Sequence, residues 1–185
     1  MDANPAHAVH GPRYVVTKGK TPVLGPDEAR ALLDSIPVTR KVLHEDGTET
    51  EQPSLVGLRD RALIGVMAFA LARVDTVIRM KVKDCHTQGR RGWIRMHEKG
   101  GKEYAVPCNH VLETLLDAYI KAIGIKDDPE GPLFRTVPHR AAYELTRNPL
   151  WQQDAHRMIQ RRAKVAGIKT RIGNHSFRAT GITAY

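Results

Sequence analysis

Cysteine is nearly missing from this chain: Cys85 and Cys108 are the only two in 185 residues. They supply neither a disulfide framework nor a metal-ligand pair spacing, which fits a reduced, cytosolic setting and no bound metal. Aromatic residues make up only 5%, which counts against a base-stacking platform for single strands. Long apolar runs are also lacking. The longest uncharged stretch, Ala62 to Ala72, has eleven residues, whereas a membrane span needs about 20. The opening Met1-Asp2-Ala3-Asn4-Pro5 has no basic region followed by an apolar one, so no signal peptide is expected. Acids are in deficit, with 20 Asp and Glu against 29 Lys and Arg and a net charge of +9. That balance favours a polyanionic partner, nucleic acid ahead of an anionic membrane surface. What is present is enough apolar material, 41%, for one packed domain with a tail.

Residues 1 to 22 hold Pro5, Gly11-Pro12, Lys18-Gly19-Lys20 and Pro22 without helical period, and read as a linker or tail. Pro26-Asp27-Glu28 opens a first helix that Pro37 stops. Residues 38 to 53 are polar and are expected to form a loop. Ser54 caps a long helix expected to run to Ala72. Its apolar residues Leu55, Leu58, Leu63, Val66, Met67, Phe69 and Ala70 wrap most of its circumference, so it should be the central buried helix.

Three short alternating runs follow: Met80–Lys83, Ile94–His97 and Tyr104–Val106. Gly100-Gly101 reads as a two-residue turn between the last two. Helical period returns over Asn109–Ile123 with Gly124 as its stop, and again over Leu150–Ala166. A last helix opens at Asn174, its expected N-cap. The expected fold class is therefore α+β, mainly α: helices around a small three-stranded antiparallel sheet. No strand–helix alternation suggests a doubly wound sheet.

The charge is concentrated at the end. Residues 149 to 185 hold seven basic residues, Arg157, Arg161, Arg162, Lys164, Lys169, Arg171 and Arg178, against the single acid Asp154. Arg157, Arg161 and Lys164 share one helical face. A solvating face mixes signs, so this one reads as phosphate-backbone contact. Four residues stand out by position. Arg73 emerges where the buried helix ends, and by itself would be a cation at a helix C-terminus. Lys99 stands at a hairpin tip, on the alternation that also carries Arg95 and His97. His175 and Arg178 are three apart at a helix start, where backbone N–H groups favour an anion.

Four stretches in this order resemble the tyrosine recombinases, the phage integrases and their relatives. They are Leu55–Leu63, Ala72-Arg73-Val74, Glu98–Glu103 leading to Val106-Pro107, and Asn174–Thr180. The resemblance covers about residues 23 to 185, a catalytic domain. It implies phosphodiester strand exchange on double-stranded DNA through a covalent 3′-phosphotyrosyl link, without metal or cofactor. It further implies self-association into a tetramer on the DNA, in the cytoplasm of a bacterial or phage host, at the nucleoid. By motif match Arg73 and Arg178 hold the nonbridging phosphate oxygens. Lys99 matches the general acid to the leaving 5′-oxygen, and His175 matches the histidine at the phosphate. The expected DNA contacts are Arg95, His97, Arg157, Arg161, Lys164 and Arg171.

Two guanidiniums suit that task on physical grounds, because each is permanently charged and presents a planar fork of donors. The chain departs from the pattern at Thr76, where many relatives have an acid, and at Ala179, where many have histidine. Tyr185 does not match the family's nucleophilic tyrosine, which lies farther along. The expectation is a catalytic domain lacking its C-terminal segment and inactive alone. The alternatives are a duplex-binding remnant that never cuts, and an unrelated basic protein bound to structured RNA.

Overall fold

The computed structural model describes residues 21–98, 100–138 and 143–183. The first helix, α1, spans Pro26–Asp34, with Pro26 at its first position and the Glu28 carboxylate accepting the Gly25 N–H at 3.1 Å. Helix α2 spans Leu55–Phe69 under the Ser54 cap, whose Oγ accepts the Gly57 N–H at 3.3 Å. Apolar residues all round make α2 the centre of the molecule, as expected: Ala62, Leu63, Ile64, Val66 and Met67 are buried. It packs against α4, His110–Ile123, and α6, Asn174–Thr183. Helix α5, Gln152–Val165, turns Ala155, Met158, Ile159 and Ala163 into the same core.

Residues 38 to 53 are not a loop. Thr39–Leu43 (β1) and Glu49–Pro53 (β2) pair antiparallel as a separate hairpin. Side-chain pairs across the strands hold it: Thr39 to Glu51 at 2.6 Å, Arg40 to Gln52 at 3.2 Å and Lys41 to Glu49 at 3.0 Å. Neither face is buried, so no apolar alternation marks it in the sequence.

The expected three-stranded antiparallel sheet is present, in the order β3 (Cys85–Gln88), β4 (Arg91–His97), β5 (Glu103–Pro107). Its first strand begins later than the Met80–Lys83 alternation suggests. Lys81 makes only an isolated bridge to Pro132, and Val82–Asp84 is a 3-10 turn closed by the Asp84 carboxylate on the Lys81 N–H at 2.8 Å. The β4–β5 connection is also longer than two residues. Glu98 N–H bonds the Lys102 carbonyl at 2.8 Å, so the ladder ends there and Gly100 and Gly101 lie in the connection. Gly100 and Gly101 take φ of +87° and +74°, the left-handed region that side chains disfavour.

Helix α2 stops three residues short of Ala72. Leu71 has φ +53°, and a separate short helix, α3, spans Val74–Ile78. Arg73 is therefore the N-cap of α3 and not a cation at the end of α2. Asn174 is likewise the first residue of α6 and not its cap; its buried Oδ1 has no partner, and Ser176 Oγ accepts the Gly173 N–H at 3.1 Å.

One close approach fixes α6 beside the end of α2. A Cβ on Gly181 would sit 2.5 Å from the Ala68 carbonyl oxygen and 2.2 Å from a Leu71 methyl. Gly181→Ala is expected to push the two helices apart and lower stability by about 1–3 kcal/mol, read as a fall in thermal midpoint. An unchanged midpoint would show that the helices part at no cost.

Candidate functional site

Arg73 is placed by its neighbours. Ala72 and Val74 are buried on either side, so the chain is anchored while the Arg73 side chain stays exposed. The Arg73 carbonyl accepts the Thr76 and Val77 N–H groups at 3.0 and 3.1 Å, which starts α3. Thr76 is buried, and Asp75 is exposed. Arg178 is placed the same way. Ser176 and Phe177 are each 2% exposed and pin α6, and Thr180 Oγ1 accepts the Leu24 N–H at 3.0 Å. Arg178 is half-buried, and His175, one turn earlier, is exposed. The ion pairs among the described residues all lie elsewhere, so neither guanidinium is neutralised by a carboxylate salt bridge.

Both arginines act electrostatically on Tyr104, a residue that sequence reasoning matched to nothing catalytic. Burial pushes the Tyr104 hydroxyl above its ordinary range, with Glu98 adding to the rise and the arginines opposing it. No pattern in the sequence marks Tyr104. The buried thiols are different. Burial pushes Cys85 up to about 12 and Cys108 up to about 11, so neither is a thiolate near neutral pH.

Arg95 and His97 are exposed, as the alternation implies, but on the other face of the sheet. Ile94 and Met96 point into the core, Tyr104 stands opposite Met96, and Arg95 and His97 point away. The structure thus does not bring them to the arginine pair. His97 is already engaged within the protein, with Nε2 3.2 Å from Asp84 and Nδ1 2.9 Å from Glu103. The Asp84 hydrogen bond, then Glu103, raises its affinity for a proton. Lys99 and Tyr185 lie outside the described residues, as do residues 1 to 20 of the expected linker.

On α5, Arg157, Arg161 and Lys164 are exposed on one face, and Arg171 is exposed beyond its end. Arg161 reaches Asp60 at only 3.7 Å, and Arg157 reaches Asp154 at 3.4 Å. Arg162, from the same charged run, turns inward. Its Nε and Nη2 hold Asp60 Oδ2 at 2.9 and 2.8 Å. Arg59 holds the other oxygen at 2.6 and 3.0 Å and donates to the Arg135 carbonyl at 2.9 Å. The sequence signal for this node was a lone acid inside an apolar helix, next to an arginine.

Two guanidiniums with no carboxylate salt bridge among the described residues are groups that suit a phosphate. Among the described residues no cluster of three or more His, Cys, Asp or Glu could hold a metal, and no helix is long and apolar enough to cross a membrane.

Comparison with known proteins bears on the family and the fold. The family model described as "Phage integrase family" matches residues 40–185. Tyrosine recombinase XerC of Vibrio atlanticus is 30% identical over 176 residues, covering 95% of this chain and 47% of the relative. Tyrosine recombinase XerD of Mycobacterium leprae is 28% identical over 156 residues, covering 82% and 44%. The chain thus spans about half the length of the curated relatives it matches. The crystal structure of XerA recombinase shares the fold at a TM-score of 0.63 and 24% identity, covering 89% of this chain and 51% of that one. XerH site-specific recombinase bound to its difH substrate gives 0.60 and 22%, covering 88% and 42%.

Proposed function

Because this chain belongs to the phage integrase family, we propose that it carries the phosphate-binding machinery of a site-specific DNA recombinase. The observation that supports this reading is that Arg73 and Arg178, distant in sequence, both act electrostatically on one phenol, and neither forms a carboxylate salt bridge among the described residues. In this reading the two guanidiniums grip the nonbridging oxygens of the scissile phosphate. Their grip strengthens as the pentacoordinate transition state gains negative charge. A tyrosine phenolate attacks phosphorus, a phosphotyrosyl ester forms, and the bond to the 5′-oxygen breaks. That oxygen leaves with a proton from Lys99, and His175 hydrogen-bonds the phosphate. Neither metal nor cofactor enters. None of the tyrosines among the described residues, Tyr104, Tyr119 and Tyr143, is assigned as the nucleophile.

Arg157, Arg161, Lys164 and Arg171 contact the phosphate backbone, with Arg95 and His97 meeting the duplex along the outer face of the sheet. Further copies assemble on the same DNA, in the cytoplasm at the nucleoid. The test is a nicked duplex substrate, incubated with the recombinase together with its tyrosine nucleophile and analysed on a denaturing gel. A covalent protein–DNA adduct supports strand exchange, and salt-sensitive binding without an adduct supports the duplex-binding alternative. Changing Arg157, Arg161 and Lys164 together to alanine is expected to flatten the dependence of log affinity on log salt by about 2.7, if each meets one phosphate. An unchanged slope would remove α5 from the interface.

A further inference from the structure

His97 is the last residue of β4, and both of its ring nitrogens are taken up inside the protein. Nε2 lies 3.2 Å from Asp84 Oδ1, and Nδ1 lies 2.9 Å from Glu103 Oε1. Ionised carboxylates only accept hydrogen bonds, so the ring that satisfies both partners carries an N–H on each nitrogen and is an imidazolium. Its two partners sit on different parts of the fold. Asp84 is buried, and its Oδ2 accepts the Lys81 N–H at 2.8 Å. The 3-10 turn that carries Asp84 is fixed by the Val82 N–H on the Gly131 carbonyl at 3.1 Å and the Lys83 N–H on the Pro129 carbonyl at 3.0 Å. Glu103 opens β5 and is the registered partner of His97 across the strands. The ring thus ties the last registered pair of the β4–β5 ladder to a buried turn. Beyond that pair the described tip stands clear: a Cβ on Gly100 or Gly101 would meet nothing within 4 Å. The place of the connection is therefore set at its base, and Lys99 belongs to that connection by sequence.

We propose that His97 is a positioning residue of strand cleavage: by bridging Asp84 and Glu103 it fixes the base of the β4–β5 connection and, through it, Lys99. The inference rests on the reading of Lys99 as the acid to the leaving 5′-oxygen. A proton is passed only across hydrogen-bond distance, so an acid displaced by about 1 Å loses much of its effect. A tether at the base of a short connection limits that displacement.

The test compares two nicked duplexes in single-turnover adduct formation. The recombinase together with its tyrosine nucleophile is held at saturating concentration, so that duplex affinity drops out of the rate. One duplex has the ordinary scissile phosphodiester. The other has sulfur as the 5′-bridging atom: the tyrosine oxygen–phosphorus bond forms, the phosphorus–sulfur bond breaks, and a thiolate leaves without a proton from Lys99. His97→Ala is expected to slow the ordinary substrate about tenfold, part of the roughly 10²–10⁴-fold that a general acid contributes, and to leave the sulfur substrate within about twofold of the parent. Glu103→Gln, a change at an exposed side chain, should give the same pattern more weakly. In a Lys99→Ala background, His97→Ala should cost nothing further on the ordinary substrate. An equal loss on both substrates would overturn the role, because His97 would then act on the fold or on the arginines. A parental rate in His97→Ala would also overturn it, and if Lys99→Ala still lost activity that sulfur restored, the reading of Lys99 would stand. If sulfur failed to restore Lys99→Ala, that reading would fail and this inference with it.

Discussion

Arg178→Lys is expected to slow strand cleavage by roughly 10²–10³-fold while weakening duplex binding far less. The substitution keeps the positive charge and removes the geometry. A guanidinium offers parallel donors in a fixed plane, matched to two oxygens of one phosphate, whereas an ammonium is a compact point charge on a flexible stem. Ground-state attraction of DNA is largely long-range charge, which lysine preserves. The transition state adds charge on the nonbridging oxygens, and only groups already aimed there gain from it. The loss should therefore fall on the chemical step. The position allows a clean reading: Arg178 is half-buried, and its helix is pinned by Phe177 and Ser176 rather than by its own side chain. The measurement is the single-turnover rate of covalent adduct formation on a nicked duplex, by the recombinase together with its tyrosine nucleophile. Equal rates for Arg178→Lys and the parent would show that Arg178 supplies charge alone.

Much of the fold around the candidate site was legible before folding, because its element boundaries are ones that the sequence punctuates well. Ser54, Asn109 and Gly124 mark helix ends by their own chemistry, and the apolar circumference of α2 could only be buried. The misses share a cause. The β1–β2 hairpin buries no face, so its polar cross-strand pairs leave no period. Helix α3 hid because α2 and α3 are joined by Ala70-Leu71-Ala72 without a proline or glycine, and the break is a positive φ at a leucine. Nothing local forecasts that conformation; α6 packs against the turn, as the Gly181 approach to Leu71 shows. His97 and Glu103 became neighbours through strand register, and Arg162 and Asp60 through the way α5 lies on α2. Charge count alone set Arg162 in the basic run of residues 149 to 185, and only the packed structure shows it turned inward onto Asp60.

That inward turn makes Asp60 the position where a single substitution should cost the most stability. Asp60 is fully buried, and Arg59 beside it is 3% exposed, with Arg162 only slightly more open. Taking these charges out of water is costly, and mutual attraction offsets that cost only while each has its partners. Asp60→Ala leaves two inward guanidiniums facing each other without an anion. The expected loss is about 3–5 kcal/mol. In a domain of this size each kcal/mol lowers the thermal midpoint by about 2–4 °C, so the midpoint should fall by roughly 6–20 °C. Asp154→Ala is the matched control, because its pair with Arg157 spans 3.4 Å between exposed side chains; that change should stay within about 1 kcal/mol. The node also bridges α2 and α5, and through Arg135 it reaches Asp128 at 2.7 Å. Losing it should free α5 from α2, so the basic face of Arg157, Arg161 and Lys164 would no longer hold its place. Duplex affinity should accordingly drop in Asp60→Ala even at temperatures where circular dichroism shows the chain still folded. A variant that melted early yet bound duplex at full affinity would separate the two roles and show that α5 is held by its apolar face alone.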